Sequence, residues 1–193
     1  MARWKPDARQ RLVVEALTLF AEQGYDATTV AQIAERAGLT RSTFHRHFAD
    51  KRDILTAGQE ALSRLLAEGI AAAPADATPL DAVGAGLDRA SSSLTEFNRE
   101  LSPLMEAAID ANEELRDRSA MKAVGMAAAM NDALVARAVP EPQARLAAEM
   151  GVLAFGRGFQ RWVGPVEGEG PGELRDRTAE AFAELRAAAS GLT

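Results

Sequence analysis

An all-α fold is predicted on three observations. The long stretches between Pro- and Gly-rich breaks are dominated by Ala, Leu, Glu and Arg and poor in β-branched residues, which is helical composition. Nowhere do apolar and polar residues alternate with the period of two that a strand requires. Instead, apolar residues recur at steps of three and four. The breaks are Pro74–Pro79, Pro140–Pro142 and Gly164–Gly172. They divide the 193 residues into helices near 7–23, 29–37, 41–47, 51–72, 80–99, 102–112, 114–138, 141–163 and 172–190. About nine helices therefore fall into a small N-terminal domain, residues 1–52, and a larger C-terminal one, residues 53–193. No internal repeat is present.

Composition narrows the function classes. Apolar residues make up 47% and charged residues 26%, the balance of a soluble globular protein. There are no cysteines, which excludes a disulfide framework, thiolate metal sites and a cysteine nucleophile. No apolar run approaches the roughly 20 residues that span a bilayer. Glu15 and Glu22 interrupt the apolar stretch after the early positive charges, so no secretory signal is read and a cytoplasmic protein is expected. The net charge of −6 is unevenly spread. Residues 1–52 hold 9 basic and 6 acidic side chains, a net +3, and the remainder hold 13 and 22, a net −9. A basic head on an acidic body suits contact with phosphate at one end.

In the first helix Leu12, Ala16, Leu19, Phe20 and Gln23 form a stripe, and Gly24 is a left-handed stop. The segment Thr28–Arg52 carries three helix-start signals. Thr29 with Gln32 forms a capping box, Thr40 caps a helix opening at Arg41, and Asp50 caps one opening at Lys51. Gly38, within Ala37-Gly38-Leu39, permits the tight turn that sets two short helices at a steep angle. Val30, Ile33, Ala34, Leu39, Phe44 and Phe48 supply the contacts that hold the pair. This is a helix-turn-helix unit. The start of its second helix would face base edges in a major groove, where Arg41 reads guanine and the Thr43 methyl meets a thymine methyl. Ser42 and Arg46, one turn apart, lie beside them. Lys51, with the free amides of a helix start, would hold a phosphate.

The same stretch resembles the TetR family of transcriptional regulators over about residues 9–55. The register matches at Phe20, Gly24-Tyr25, Thr29-Val30, Ile33-Ala34, Ala37-Gly38-Leu39, Thr43-Phe44, His47-Phe48 and Lys51. The resemblance implies a nine-helix fold, a homodimer, repression of a double-stranded DNA operator and release by a small-molecule effector. Family members usually carry Tyr, associated with backbone contact, where this chain has His45. The DNA-contacting set is thus Thr29, Thr40, Arg41, Ser42, Thr43, His45, Arg46, His47 and Lys51.

Other chemistries find little support. His45 and His47 are the only histidines. At i and i+2 of a helix they point about 200° apart and cannot chelate one ion. Neither lies in a cleft where a histidine-based hydrolase would need it. Neither a metal nor a cofactor is expected. Gly156-Arg157-Gly158 lacks the strand and the Lys-Ser/Thr of a phosphate loop, and its glycines suit close helix packing. Arg3, Trp4 and Lys5 are read as a tail or, less favoured, a minor-groove arm. Phe97, Leu101, Met105, Met121, Met126 and Met130 are expected to line a yielding pocket for an apolar effector, bordered by Leu65, Leu66 and Ile70. Leu153, Phe155, Phe159, Trp162, Phe182 and Leu185 are expected to pair the last two helices with those of a second copy. The alternative is an all-helical carrier or enzyme with an incidental helix-turn-helix.

Overall fold

The computed structural model describes residues 7–110, 112–164 and 172–191. Among them lie nine helices and no strand: α1 (Ala8–Gln23), α2 (Val30–Arg36), α3 (Arg41–His47), α4 (Asp53–Ala72), α5 (Pro79–Ser91), α6 (Glu96–Asp110), α7 (Glu113–Ala136), α8 (Glu141–Val163) and α9 (Leu174–Ser190). The all-α expectation holds, and no described helix is long and apolar enough to cross a membrane. Residues 1–6 and 165–171, and with them the Trp4 arm and most of the Gly164–Gly172 break, lie outside the described residues.

The chain forms two compact units. One comprises residues 1–59 and 100–120, the other residues 60–99 and 121–193. Helices α4, α6 and α7 contribute to both.

Local chemistry starts the first unit. The Asp7 carboxylate accepts from Gln10 N at 2.8 Å, and the Gln10 amide oxygen accepts from Asp7 N at 3.1 Å, a capping box that opens α1. Gly24 closes the helix at φ +87°, as expected, though its ψ of 156° lies outside the left-handed helical region. Thr29 and Gln32 make the expected box at α2. Gly38, at φ +65°, turns the chain between α2 and α3. Leu12, Leu17, Phe20, Ile33 and Phe44 are wholly buried together, with Tyr25 edge-on to Phe20 at 5.0 Å between ring centroids. Each such side chain contributes about 1.5–3 kcal/mol on burial. Leu17 extends the α1 stripe beyond the expected set, while Gln23 stays exposed and donates to Thr28 Oγ1 at 3.2 Å.

The second unit packs through glycine. A methyl group on Gly69 of α4 would lie 2.6 Å from Gly86 Cα of α5, and one on Gly158 of α8 would lie 2.6 Å from Thr178 Cα of α9. These helices touch backbone to backbone, and the buried Ser91 hydroxyl of α5 donates to Thr178 Oγ1 at 3.2 Å. Of the two glycines expected to allow close packing in α8, Gly158 does so and Gly156 faces open space.

One predicted helix is two. The stretch 80–99 breaks at Ser91, and α6 starts at Glu96 rather than 102. Ser93 Oγ donates to Ala90 O at 2.7 Å, which offers the backbone an alternative to helix at the serine run. Asn98 Oδ1 then accepts from Thr95 N at 2.9 Å and opens α6. Pro103 lies in the interior of α6.

The glycine contacts give a paired prediction. Gly86→Ala places its methyl 2.7 Å from Leu66 O and should destabilise the chain by about 1–3 kcal/mol. Gly58→Ala, where an added methyl meets nothing, should stabilise α4 by about 0.5–1 kcal/mol. Denaturant unfolding of both variants checks the sign of each.

Candidate nucleic-acid interface

The seven residues of α3 are too few to hold a helix alone. Its start is fixed by Thr40, whose Oγ1 accepts from Thr43 N at 3.2 Å and lies 3.0 Å from Thr43 Oγ1 and 2.9 Å from Ser42 Oγ. Its inner face is fixed by Phe44, fully buried, and by Phe48 just beyond, also buried. With that face committed, Arg41, Ser42, His45 and Arg46 share the exposed side, and Thr43 is half-buried at its edge. Arg41 and Arg46 have no ion-pair partner among the described residues, so both guanidiniums are available. The structure therefore brings five of the expected residues onto one exposed, basic helix end. Thr29 and Thr40 are also exposed, but their hydroxyls serve as helix caps.

His45 Nδ1 donates to the Ala49 carbonyl at 3.2 Å, which fixes that nitrogen as the protonated one because a carbonyl only accepts. Its Nε2 can donate to a phosphate only when the ring carries a second proton. His47 differs from its expected role. Its Nε2 is shut off from solvent with no hydrogen-bond partner among the described residues.

Lys51 differs most. The helix does not open there: α4 begins at Asp53, and Asp50 caps a turn before it, accepting from Arg52 N at 2.6 Å and Asp53 N at 3.3 Å. The side-chain bond from Arg52 holds the Asp50 carboxyl below its ordinary range, so this contribution is present above that range and is lost on acidification. The Lys51 ammonium turns inward. It donates to the carbonyls of Tyr25 at 2.6 Å, Thr28 at 3.0 Å and Asp26 at 3.4 Å, and lies 4.2 Å from the Tyr25 ring centroid. All three of its protons are directed at protein carbonyls, and it closes the turn between α1 and α2.

The comparisons with known proteins follow this geometry. Residues 12–57 match the profile of bacterial regulatory proteins, tetR family. The transcriptional regulator TcmR of Streptomyces glaucescens is 40% identical over 75 residues, 39% of this chain and 33% of that protein. The regulator BetI of Rhizobium meliloti (strain 1021) is 35% identical over 82 residues, 42% of this chain and 40% of that one. In fold, 95% of this chain superposes on 98% of a TetR-family regulator from Mesorhizobium loti MAFF303099, with a TM-score of 0.55 at 17% identity. Residues 12–57 are a TetR-type N-terminal domain. A TetR/AcrR-family regulator from Aquifex aeolicus VF5 gives a TM-score of 0.54 at 17% identity over 94% of this chain and 99% of that one. The chain spans a third to two fifths of the length of these curated relatives, and the family profile covers residues 12–57 alone.

Beyond the TetR-type head, several expected roles move. Phe155, Trp162 and Phe182 are buried in the core of the second unit, and Phe159 and Leu185 pack against it, so these side chains stabilise the protomer itself. Of the expected pairing residues only Leu153 stands clear, 54% exposed, with Leu146 at 64% two turns earlier on the same face of α8. The expected pocket set does not share one lining. Leu101 and Met105 pack against the core of the first unit, Met126 and Met130 are buried in the core of the second, Phe97 is half-buried and Met121 is 61% exposed. Met130 Sδ would lie 2.9 Å from a methyl on Gly151, so Met130 fills its space. Leu66 and Ile70 are likewise fully buried core. No group of three or more metal-ligating side chains lies among the described residues.

Three contacts of the head escape sequence reading because their partners are far apart in the chain. Besides the Lys51 turn, Arg36 of α2 is gripped by Glu15 at 3.0 Å and by both carboxylate oxygens of Glu22, which holds the Glu22 carboxyl below its ordinary range. Arg9 lies over the Phe48 ring, 5.3 Å from its centroid.

Lys51→Met retains the aliphatic stem and removes the three donors. It should lower stability by about 1.5–3 kcal/mol, because three carbonyls lose a charged partner. Thermal unfolding of the DNA-free chain checks this, and an unchanged midpoint would return Lys51 to a purely phosphate-facing role.

Proposed function

We propose that this chain is a dimeric, cytoplasmic, DNA-binding transcriptional regulator that represses from a near-palindromic operator and leaves it when the body binds a small, apolar effector. Residues 1–52 are the DNA-binding domain and residues 53–193 the effector-binding and dimerising domain. The observation that carries this reading is the exposed basic face of α3, held out by Phe44 and Phe48 and capped by Thr40. A helix so mounted presents its N-terminal side chains to a major groove. Arg41 and Thr43 contact bases, Ser42 and Arg46 support them, and His45 reaches the backbone where family members carry Tyr. The TetR-type head supports regulation over catalysis.

One head buries too little surface for tight, specific binding, so two are needed. The pairing face runs along α8 through Leu146, Leu153 and Gly156. An added methyl at Gly156 meets nothing within the protomer, so its lack of a side chain is unexplained by internal packing and suits close approach of a second copy. Effector release follows from linkage: a ligand that favours a body conformation with a different spacing of the heads must weaken DNA binding, typically by about 1–3 kcal/mol.

Selection of bound DNA from a random pool should recover a near-palindrome whose half-sites lie about 34–36 Å apart or a multiple of a helical turn. Arg41→Ala should cost about 1–3 kcal/mol and relax one base position per half-site; an unchanged selected motif rules Arg41 out as a reader. Leu153→Glu should convert a dimer to a monomer by sedimentation, with loss of operator binding but not of fold.

A further inference from the structure

We infer that DNA binding by this chain is coupled to proton uptake on His45 Nε2 at each head, so that affinity falls as pH rises. The inference rests on the DNA-binding reading above and adds a regulation to it. Imidazole is the side chain whose charge changes between about pH 5 and 8. The chain has two histidines, and both lie in α3. Geometry separates their roles.

His45 is exposed on the same side of the helix as Arg41 and Arg46. Its Nδ1–H is committed to the Ala49 carbonyl at 3.2 Å, so the neutral ring is held in a single tautomer. Nε2 then carries a lone pair and makes no hydrogen bond among the described residues. Toward a phosphate oxygen that lone pair is repulsive, acceptor against acceptor. A second proton turns Nε2 into a charged donor, and its hydrogen bond to a phosphodiester is of the stronger, charge-assisted kind. The Ala49 bond survives this change, because Nδ1 keeps its proton. The ring is thus oriented alike in both charge states, and only its outward nitrogen changes from acceptor to donor.

The charges around the ring leave this proton to arrive with the DNA. On α3 itself, Arg41 and Arg46 are cations that oppose a further positive charge in the free head. In the turn that follows, Asp50 is paired with Arg52 at 2.6 Å. From α4, Asp53 accepts from Ala49 N at 2.6 Å, and from α1, Arg9 lies over the Phe48 ring. Neither carboxylate bonds to the imidazole. Phosphates brought against the ring favour its charged form, as any nearby opposite charge does. His47 is excluded from the same part. Its cation would carry an N–H at Nε2, the nitrogen shut off from solvent without a partner, and a buried unpaired donor is costly.

The test uses the full chain and a duplex recovered by selection from a random pool, with affinities measured at fixed ionic strength from about pH 6 to about pH 8. Each tenfold rise in the ring's proton affinity on binding is tenfold in DNA affinity per head, so the wild type should bind at least about tenfold more weakly at the alkaline end. Calorimetry in two buffers of different ionisation enthalpy should show net proton uptake. His45→Gln and His45→Tyr, whose amide and hydroxyl donate without a charge, should each vary by less than about twofold over the same range and show no uptake. A flat wild-type profile, or a profile in either variant as steep as the wild type's, overturns the proposal while the DNA-binding reading stands. Affinity that rises with pH also overturns it, and assigns the neutral Nε2 to acceptance from a base amino group. If no duplex is recovered, the DNA-binding reading fails and this inference with it.

Discussion

The burial of Phe44 is the constraint on which the head depends. A seven-residue helix has no stability of its own, so tertiary contact has to select its orientation. Phe44 has no exposed surface and lies with Phe20, Ile33 and Leu12 in one cluster, while Phe48 anchors the exit from α3. Once those two rings are inside, the helical period places Arg41, Ser42, His45 and Arg46 outside. The chemistry offered to a partner is therefore a geometric consequence of where two phenylalanines sit. The positive φ of Gly38 and the caps at Thr29 and Thr40 make that burial reachable without strain.

The body follows another rule. Its helices meet through missing side chains, at Gly69 with Gly86 and at Gly158 with Thr178. Such crossings bring backbones close and leave no slack for extra atoms. The ion pairs that bridge its helices, Arg161 with Glu184 and Arg89 with Glu68, are largely exposed, and solvent screening leaves pairs of this kind a small contribution. Glycine contacts and buried apolar side chains hold the body, and its surface charges dress it.

What was legible in the sequence was local. The Thr29–Gln32 box, the Thr40 cap, the Gly38 turn and the apolar spacing of Phe44 and Phe48 all lie within a few residues of what they determine, and they specify α2, α3 and the exposed face of α3. The break at Ser91 was missed because alanine- and leucine-rich flanks outweigh a serine run whose hydroxyl-to-backbone bonds form only in the folded turn. Phe155, Trp162 and Phe182 were placed on a pairing face because amphipathic spacing identifies a buried face without saying whether the protomer or a second copy covers it. Lys51 was read as a free cation because its carbonyl partners, Tyr25 to Thr28, lie more than twenty residues earlier. Contacts across such separations carry no periodic signal.

The inward commitments of the head's cations have a further consequence. Binding to a polyanion gains free energy from released counterions in proportion to the phosphates that protein charges neutralise. In this head Arg36 is gripped by Glu15 and Glu22, Arg52 is paired with Asp50, and the Lys51 ammonium is turned toward its own backbone. Three carboxylates, Glu15, Glu22 and Asp50, are held in the same contacts, so the net +3 of the head is left on its other side chains. On the proposed reading, the counterions released on binding are those displaced by the outward cations, Arg41 and Arg46 of α3 among them.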